Sequence, residues 1–215
     1  MNGKGLTQIY RKLLSHFGPQ GWWPAETAFE VVLGAILTQN TSWSNVEKAV
    51  ENLNAQNLLE PLRLARATRE RIEKAVYPAG FYRQKAERLL RFAHYLKKHY
   101  QGNLSLFFDQ PLEKLRSELL NINGIGPETC DSILLYAANK LIFPIDAYTV
   151  RMCRRLGLTN LEGHEELRVF FEQRLPPELD IYNEFHALIV RWAKSYCRSK
   201  KPLCDNCPLA GECKM

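Results

Sequence analysis

No stretch of this sequence carries the ~18 consecutive apolar residues that a membrane-spanning helix needs, and the opening segment MNGKGLTQIYRKLL has no apolar block of the signal-peptide kind. A helical membrane protein is excluded on the first count, and an intracellular protein is expected on the second. Alternating runs of β-branched residues bounded by turns are also missing, which argues against a β-sheet architecture. There is no low-complexity linker and no internal repeat, so neither tethered modules nor a solenoid fits. Cysteine is absent before position 130. Of the six present, Cys130 and Cys153 stand apart, while Cys197, Cys204, Cys207 and Cys213 crowd the last 19 residues. In an intracellular protein such crowding argues for a metal centre over a disulfide knot.

What is present is length, charge and helical pattern. The 215 residues suffice for one domain or for two small lobes around a cleft. Lysine and arginine outnumber aspartate and glutamate 29 to 23, and the sequence pI is about 9.0. That balance favours an anionic partner such as nucleic acid. Apolar residues recur at three and four over 6–17, 29–37, 44–53, 69–77, 84–100, 112–120, 128–139, 147–156, 165–175 and 182–196, the period of a helix face. Thr68 stands as an N-cap, Ser44 with Glu47 reads as a capping box, and Gly102 and Gly157 follow helices as stops. An all-α protein of about ten short helices is expected.

One connection has a chemistry of its own. Leu119, Leu120 and Ile122 close a helical segment, Gly124 and Gly126 make a tight turn, and Pro127 fits the first position of the next helix, where its missing N–H costs nothing. Glycine at both positions frees the backbone, so that N–H groups point outward from a helix N-terminus. Such a helix-hairpin-helix grips a nucleic-acid backbone by its phosphates without reading sequence. An ordinary turn between two helices would use the same glycines. Asp146, 20 residues beyond Gly126, follows Ile145 directly before a helix, an N-cap position that aspartate fills well.

The C-terminal segment CRSKKPLCDNCPLAGECKM spaces its cysteines C-x6-C-x2-C-x5-C. Four thiolates this close can wrap a metal centre, and spacing alone leaves structural zinc as a competitor. Arg198, Lys200, Lys201 and Lys214 beside them are available to phosphate or to solvent.

The hairpin, an intervening helix and Asp146 at this distance together resemble the helix-hairpin-helix, Gly/Pro-Asp superfamily of DNA glycosylases, with Pro144 only loosely at the place of the family proline. The cysteine spacing, set in KPLCDNCPL, is similar to the iron-sulfur loop of endonuclease III and of the adenine glycosylase of mismatch repair. The likeness to endonuclease III runs from residue 29 to residue 213. It implies a two-lobed helical endonuclease III-like fold with a cleft. Residues 24–139 would form a helical barrel with the helix-hairpin-helix over about 112–139, and 1–23 with 140–215 the other lobe, with an iron-sulfur loop at 197–213. The resemblance also implies a [4Fe-4S] cluster on Cys197, Cys204, Cys207 and Cys213, catalysis by Asp146, and a grip on double-stranded DNA with a damaged base through Gly124, Gly126 and Thr129. A monomer is expected, cytoplasmic and working on the chromosome of a prokaryote.

Departures from the family pattern narrow the chemistry. In its bifunctional members a lysine two residues after the second hairpin glycine attacks the sugar C1′. Here that position is Glu128, and a carboxylate forms no imine. The glutamate acid of the adenine glycosylase falls at Ala35 in FEVVLGAILTQNT, and the chain is short for that enzyme's extra C-terminal domain. An aspartate without lysine or strong acid suits a leaving group that is already activated. A purine alkylated at N3 or N7 is cationic, so the enzyme has to stabilise an oxocarbenium-like sugar and hold a flipped cationic base between aromatic faces.

WWP at 22–24, LTQNT at 37–41 with Trp43 two residues on, GFYRQKAERL at 80–89 and Glu128 resemble the 3-methyladenine DNA glycosylase branch called MagIII. That likeness implies Trp22 with Trp43 or Trp23 around the flipped base, Glu128 in the pocket, and Gln39 filling the space the base leaves. From residue type alone the tryptophans suit cleft lining or core equally well, and Glu128 suits the helix dipole. MagIII enzymes do not all carry the cysteine loop, so this chain joins their pocket to the endonuclease III cluster. On the last helix, Phe185, Leu188, Ile189, Trp192 and Tyr196 form an apolar face, and His186 beside them is expected to be structural and outside the active site. Cys130 and Cys153 are expected to pack as small apolar groups.

The expected activity is hydrolytic release of alkylated purines, 3-methyladenine first among them. The alternatives are an endonuclease III-like bifunctional glycosylase/AP lyase on oxidised pyrimidines and a noncatalytic DNA-damage binder.

Overall fold

The computed structural model describes residues 4–214, so the first three residues and the last one of the expected lobe ranges lie outside it. Among the described residues all regular structure is helical. In chain order the helices are α1 (Lys4–Phe17), α2 (Ala28–Leu37), α3 (Trp43–Ala55), α4 (Pro61–Leu64), α5 (Arg69–Val76), α6 (Tyr82–Tyr100), α7 (Leu104–Phe108), α8 (Leu112–Leu120), α9 (Pro127–Tyr136), α10 (Ala147–Leu156), α11 (His164–Glu172) and α12 (Leu179–Ser195). Single 3-10 turns follow α5 at Tyr77–Ala79 and close the chain at Ala210–Glu212. No described helix is long and apolar enough to cross a membrane. The chain divides into two compact units, Pro24–Ala138 and a second made of Met1–Trp23 with Asn139–Met215.

Each expected periodic segment is a helix, but α4 and α7 carry no periodic signal. At four and five residues they are single turns, too short to repeat a face. The expected capping box at Ser44 is not formed. Helix α3 starts at Trp43 with Ser42 as its N-cap, and the Glu47 carboxylate accepts the Trp43 indole N–H at 2.8 Å. Thr68 does cap α5, its hydroxyl accepting Arg71 N–H at 3.3 Å. Gly157 ends α10 in the left-handed region (φ 59°), and at the end of α6 Gln101 (φ 55°) and Gly102 (φ 79°) both have positive φ, the Gly102 N–H donating to Leu96 O at 3.0 Å.

In the unit Pro24–Ala138, α2 is apolar on nearly every side, and Phe29 and the residues from Val31 to Leu37 are all buried. A helix without a polar face belongs in an interior, and α2 packs there against α3, α6 and α9. Lys85 on α6 is only 1% exposed, and its ammonium donates to Ala79 O at 2.7 Å, tying the 3-10 turn to the helix. Burial, with Arg88 nearby, pushes its pKa down to about 8. In the second unit α12 packs against α1 and α10. Phe143 stacks on Phe171 at 4.6 Å between ring centres, and Trp192 is buried.

Candidate active site and nucleic-acid interface

The hairpin joins α8 to α9. Gly124 has φ 101°, and a Cβ there would stand 2.4 Å from Arg88 Cγ, so both conformation and space call for glycine. Gly126 departs from the expectation. Its φ of −90° suits any residue, and a Cβ would meet nothing within 4 Å. It is the exposed N-cap of α9, with Pro127 at the first helical position. What glycine adds there is open space where a side chain would stand, so that a phosphate can approach the backbone closely. The two hairpin helices are tied by a pair that sequence reasoning did not anticipate: Arg116 Nε and Nη2 donate to the Asp131 carboxylate at 2.7 and 3.4 Å.

Gln39, at the end of α2, is brought onto this hairpin. Its amide nitrogen donates to Gly124 O at 3.2 Å and to Thr129 Oγ1 at 2.9 Å. Thr129 is buried, so its hydroxyl serves Gln39. Glu128 is exposed in the first turn of α9, where a carboxylate complements the helix dipole. Arg91 donates to Asn123 Oδ1 at 2.6 Å, setting a guanidinium beside the turn. Trp43, half-buried, belongs to the same unit. Cys130 is fully buried, as a small apolar residue would be.

In the other unit Asp146 caps α10. Its Oδ1 accepts Thr149 N–H at 2.7 Å and Thr149 Oγ1–H at 2.9 Å. Oδ2 faces His186 Nε2 at 3.5 Å, and both side chains are buried. Burial by itself would raise the Asp146 pKa, but the His186 contact and the Thr149 bonds outweigh it and hold the carboxyl below the ordinary aspartate range. Asp146 is therefore a buried anion. Trp22 stacks on His186 at 6.3 Å and 29°, Trp23 tilts against Trp22 at 5.8 Å, and Phe143 meets His186 edge-on at 6.2 Å. Sequence reasoning set His186 apart from Asp146, and the fold brings it against both Asp146 and Trp22. It is the residue through which Trp22 and Asp146 are joined. Its only sequence signal is its place at the border of an apolar stripe, which a packing histidine shares.

The four C-terminal cysteines line one cavity of about 100 Å³, with Arg155, Trp192 and Tyr196 among its other walls. Arg155 donates to Cys197 Sγ at 3.0 Å and the Trp192 indole to Cys207 Sγ at 3.2 Å. Cys197 is buried, Cys207 and Cys213 are partly so, and Cys204 is exposed. Among the described residues no three His, Cys, Asp or Glu side chains converge on a single-ion position. Two of the sulfurs, of Cys197 and Cys207, accept N–H donors, which suit thiolate charge.

Comparison with known proteins agrees with this geometry. Residues 33–177 match the family described as HhH-GPD superfamily base excision DNA repair protein. A protein of Methanocaldococcus jannaschii, named as a candidate DNA repair glycosylase, is 49% identical over 211 residues, covering 97% of this chain and 95% of its own. The H. pylori 3-methyladenine DNA glycosylase MagIII, solved with 1,N6-ethenoadenine, is similar with a TM-score of 0.78 and 31% identity, over 90% of this chain and 98% of that one. A non-covalent endonuclease III–DNA complex has a TM-score of 0.85 over 100% of this chain and 96% of that one; at 19% identity this is a likeness of fold. The chain belongs to the HhH-GPD superfamily of base excision DNA repair glycosylases.

Proposed function

We propose that this chain is a monofunctional DNA glycosylase that hydrolyses the N-glycosidic bond of alkylated purines, 3-methyladenine among them. The observation that carries the reading is the buried Asp146 carboxylate, with His186 between it and Trp22, in a chain whose hairpin has Glu128 where an imine-forming lysine would stand. A cationic purine leaves readily, so the main demand is on the sugar. A fixed anion stabilises the oxocarbenium-like centre while water adds. Trp22, with Trp23 as a further aromatic face, favours a cationic base over its neutral parent by stacking and cation–π attraction. The hairpin amides at Gly124 and Gly126 hold phosphate, and Gln39, docked on the hairpin from just beyond α2, fills the space left by the flipped base. The likeness to MagIII, at 31% identity, supports the choice of lesion.

Cys197, Cys204, Cys207 and Cys213 would hold a [4Fe-4S] cluster, with Arg155 and Trp192 donating to sulfur. When bound, such a group supplies a rigid cross-link between ligands that are distant along the loop.

The test is base release from duplexes carrying methylated purines, thymine glycol or uracil. Methylated purines are expected to be released and the strand left intact. Asp146→Asn, which keeps the shape and removes the charge, is expected to lower release ~10²–10³-fold while sparing DNA binding. Release of thymine glycol with strand cleavage would overturn the reading, and tight binding without release of any base would make the chain a damage binder.

A further inference from the structure

Asp146 is held unequally at its two oxygens. Oδ1 takes two donors from Thr149, at 2.7 and 2.9 Å. Those bonds pin one oxygen and leave the plane of the carboxylate to a soft sp³–sp² torsion. The other neighbour is His186, whose Nε2 approaches Oδ2 at 3.5 Å, an ion-pair distance longer than the Thr149 hydrogen bonds. His186 is 5% exposed, covered on one ring face by Trp22 and approached edge-on by Phe143. With that nitrogen on Asp146 and its ring enclosed by aromatics, it is placed to act through the carboxylate.

The surroundings leave His186 as the close partner of that oxygen. Thr149 on α10, Trp22 and Phe143 bring no charge. Farther along α12, Lys194 lies two helical steps of four beyond His186 and interacts electrostatically with Asp146 and with Arg191. Burial is the larger influence on Lys194, and it lowers the pKa of the ammonium.

We infer that His186 is a positioning residue, which fixes the plane of the Asp146 carboxylate and sets it in register with the Trp22 indole. The inference rests on the glycosylase reading above for its consequence in the reaction. One side chain thereby spaces the stacked base from the anion that faces its sugar. With Oδ1 hydrogen-bonded to Thr149 and Oδ2 facing the enclosed His186 ring, Asp146 works as a fixed charge and not as a base that swings to collect a proton from water.

The experiment compares wild type with His186→Leu and His186→Gln, the amide nitrogen of glutamine being able to stand near the position of the imidazole Nε2. Base release is measured from pH 4 upward, and the Asp146 carboxyl is titrated by ¹³C NMR in the DNA-free protein. His186→Leu is expected to lower kcat by about tenfold, with KM little changed. The acid limb of the profile should move to higher pH, because the anion has lost a partner that favours it. The NMR titration should move the same way. His186→Gln is expected to restore part of both. Wild-type kcat and an unmoved titration in His186→Leu would overturn the inference, as would equal losses in both variants with no shift of either titration, the mark of packing alone. Should His186→Leu fail to fold, the glutamine variant alone decides: a titration and acid limb near those of wild type support the inference, and a kcat loss of a hundredfold with neither shifted overturns it. If wild type releases no base, the glycosylase reading fails, and the carboxyl titration still reports separately whether His186 holds Asp146.

Discussion

Arg116 on α8 and Asp131 on α9 form an ion pair across the two helices of the hairpin, with Asp131 completely buried and the Arg116 side chain 12% exposed. Removing one member of such a pair strands the other charge away from water. Asp131→Ala is therefore expected to cost about 3–5 kcal/mol of stability and to weaken binding to damaged and undamaged duplex alike. Arg116→Met with Asp131→Leu, which removes both charges, should recover most of that stability. Urea unfolding measures both. A double variant as unstable as the single one would show that the pair acts through something other than charge burial.

The two hairpin glycines should behave differently. Gly126→Val meets no neighbour and needs no unusual backbone angle, so melting should stay close to wild type while DNA affinity falls. Gly124→Ala has to adopt φ 101° and displace Arg88, and is expected to destabilise by ~1 kcal/mol or more. Binding curves at several salt concentrations, set beside thermal melts, separate the effects. Undiminished affinity in Gly126→Val would remove that backbone N–H from the phosphate grip.

Glu128 stands exposed at the start of α9 and forms no imine. Wild-type protein should leave abasic strands that break only after alkali, and borohydride should trap little covalent complex. Glu128→Lys is expected to raise trapping above wild type. Efficient trapping of the wild type would point to an amine elsewhere in the chain and end the monofunctional reading.

Purified protein is expected to be yellow-brown with about four irons per chain. Cys204→Ser, at the exposed corner of the loop, should lower iron content and thermal stability before it changes base release per folded molecule. Stoichiometric zinc without iron would replace the cluster assignment.

Features with a local cause are legible along the chain. Helices such as α6 and α12 show a repeated apolar face, because burial on one side imposes the helical period on neighbouring residues. The hairpin shows as glycines followed by Pro127, because backbone angle and a missing N–H are properties of single residues. Asp146 as an N-cap and the four-cysteine spacing were legible for the same reason. Contacts between residues far apart in the chain emerge only on folding. His186 meets Asp146 across 40 positions, Arg155 reaches Cys197 across 42, and Gln39 docks on Thr129 across 90. A histidine at the edge of an apolar stripe reads the same whether it fills space or restrains a carboxylate. Gly126 marks the same limit: its residue type suggested an unusual backbone angle, and only the folded turn shows an ordinary one with open space beside it. Local rules constrain each residue's own backbone and face, whereas a site is made of side chains that meet only after the core has been packed.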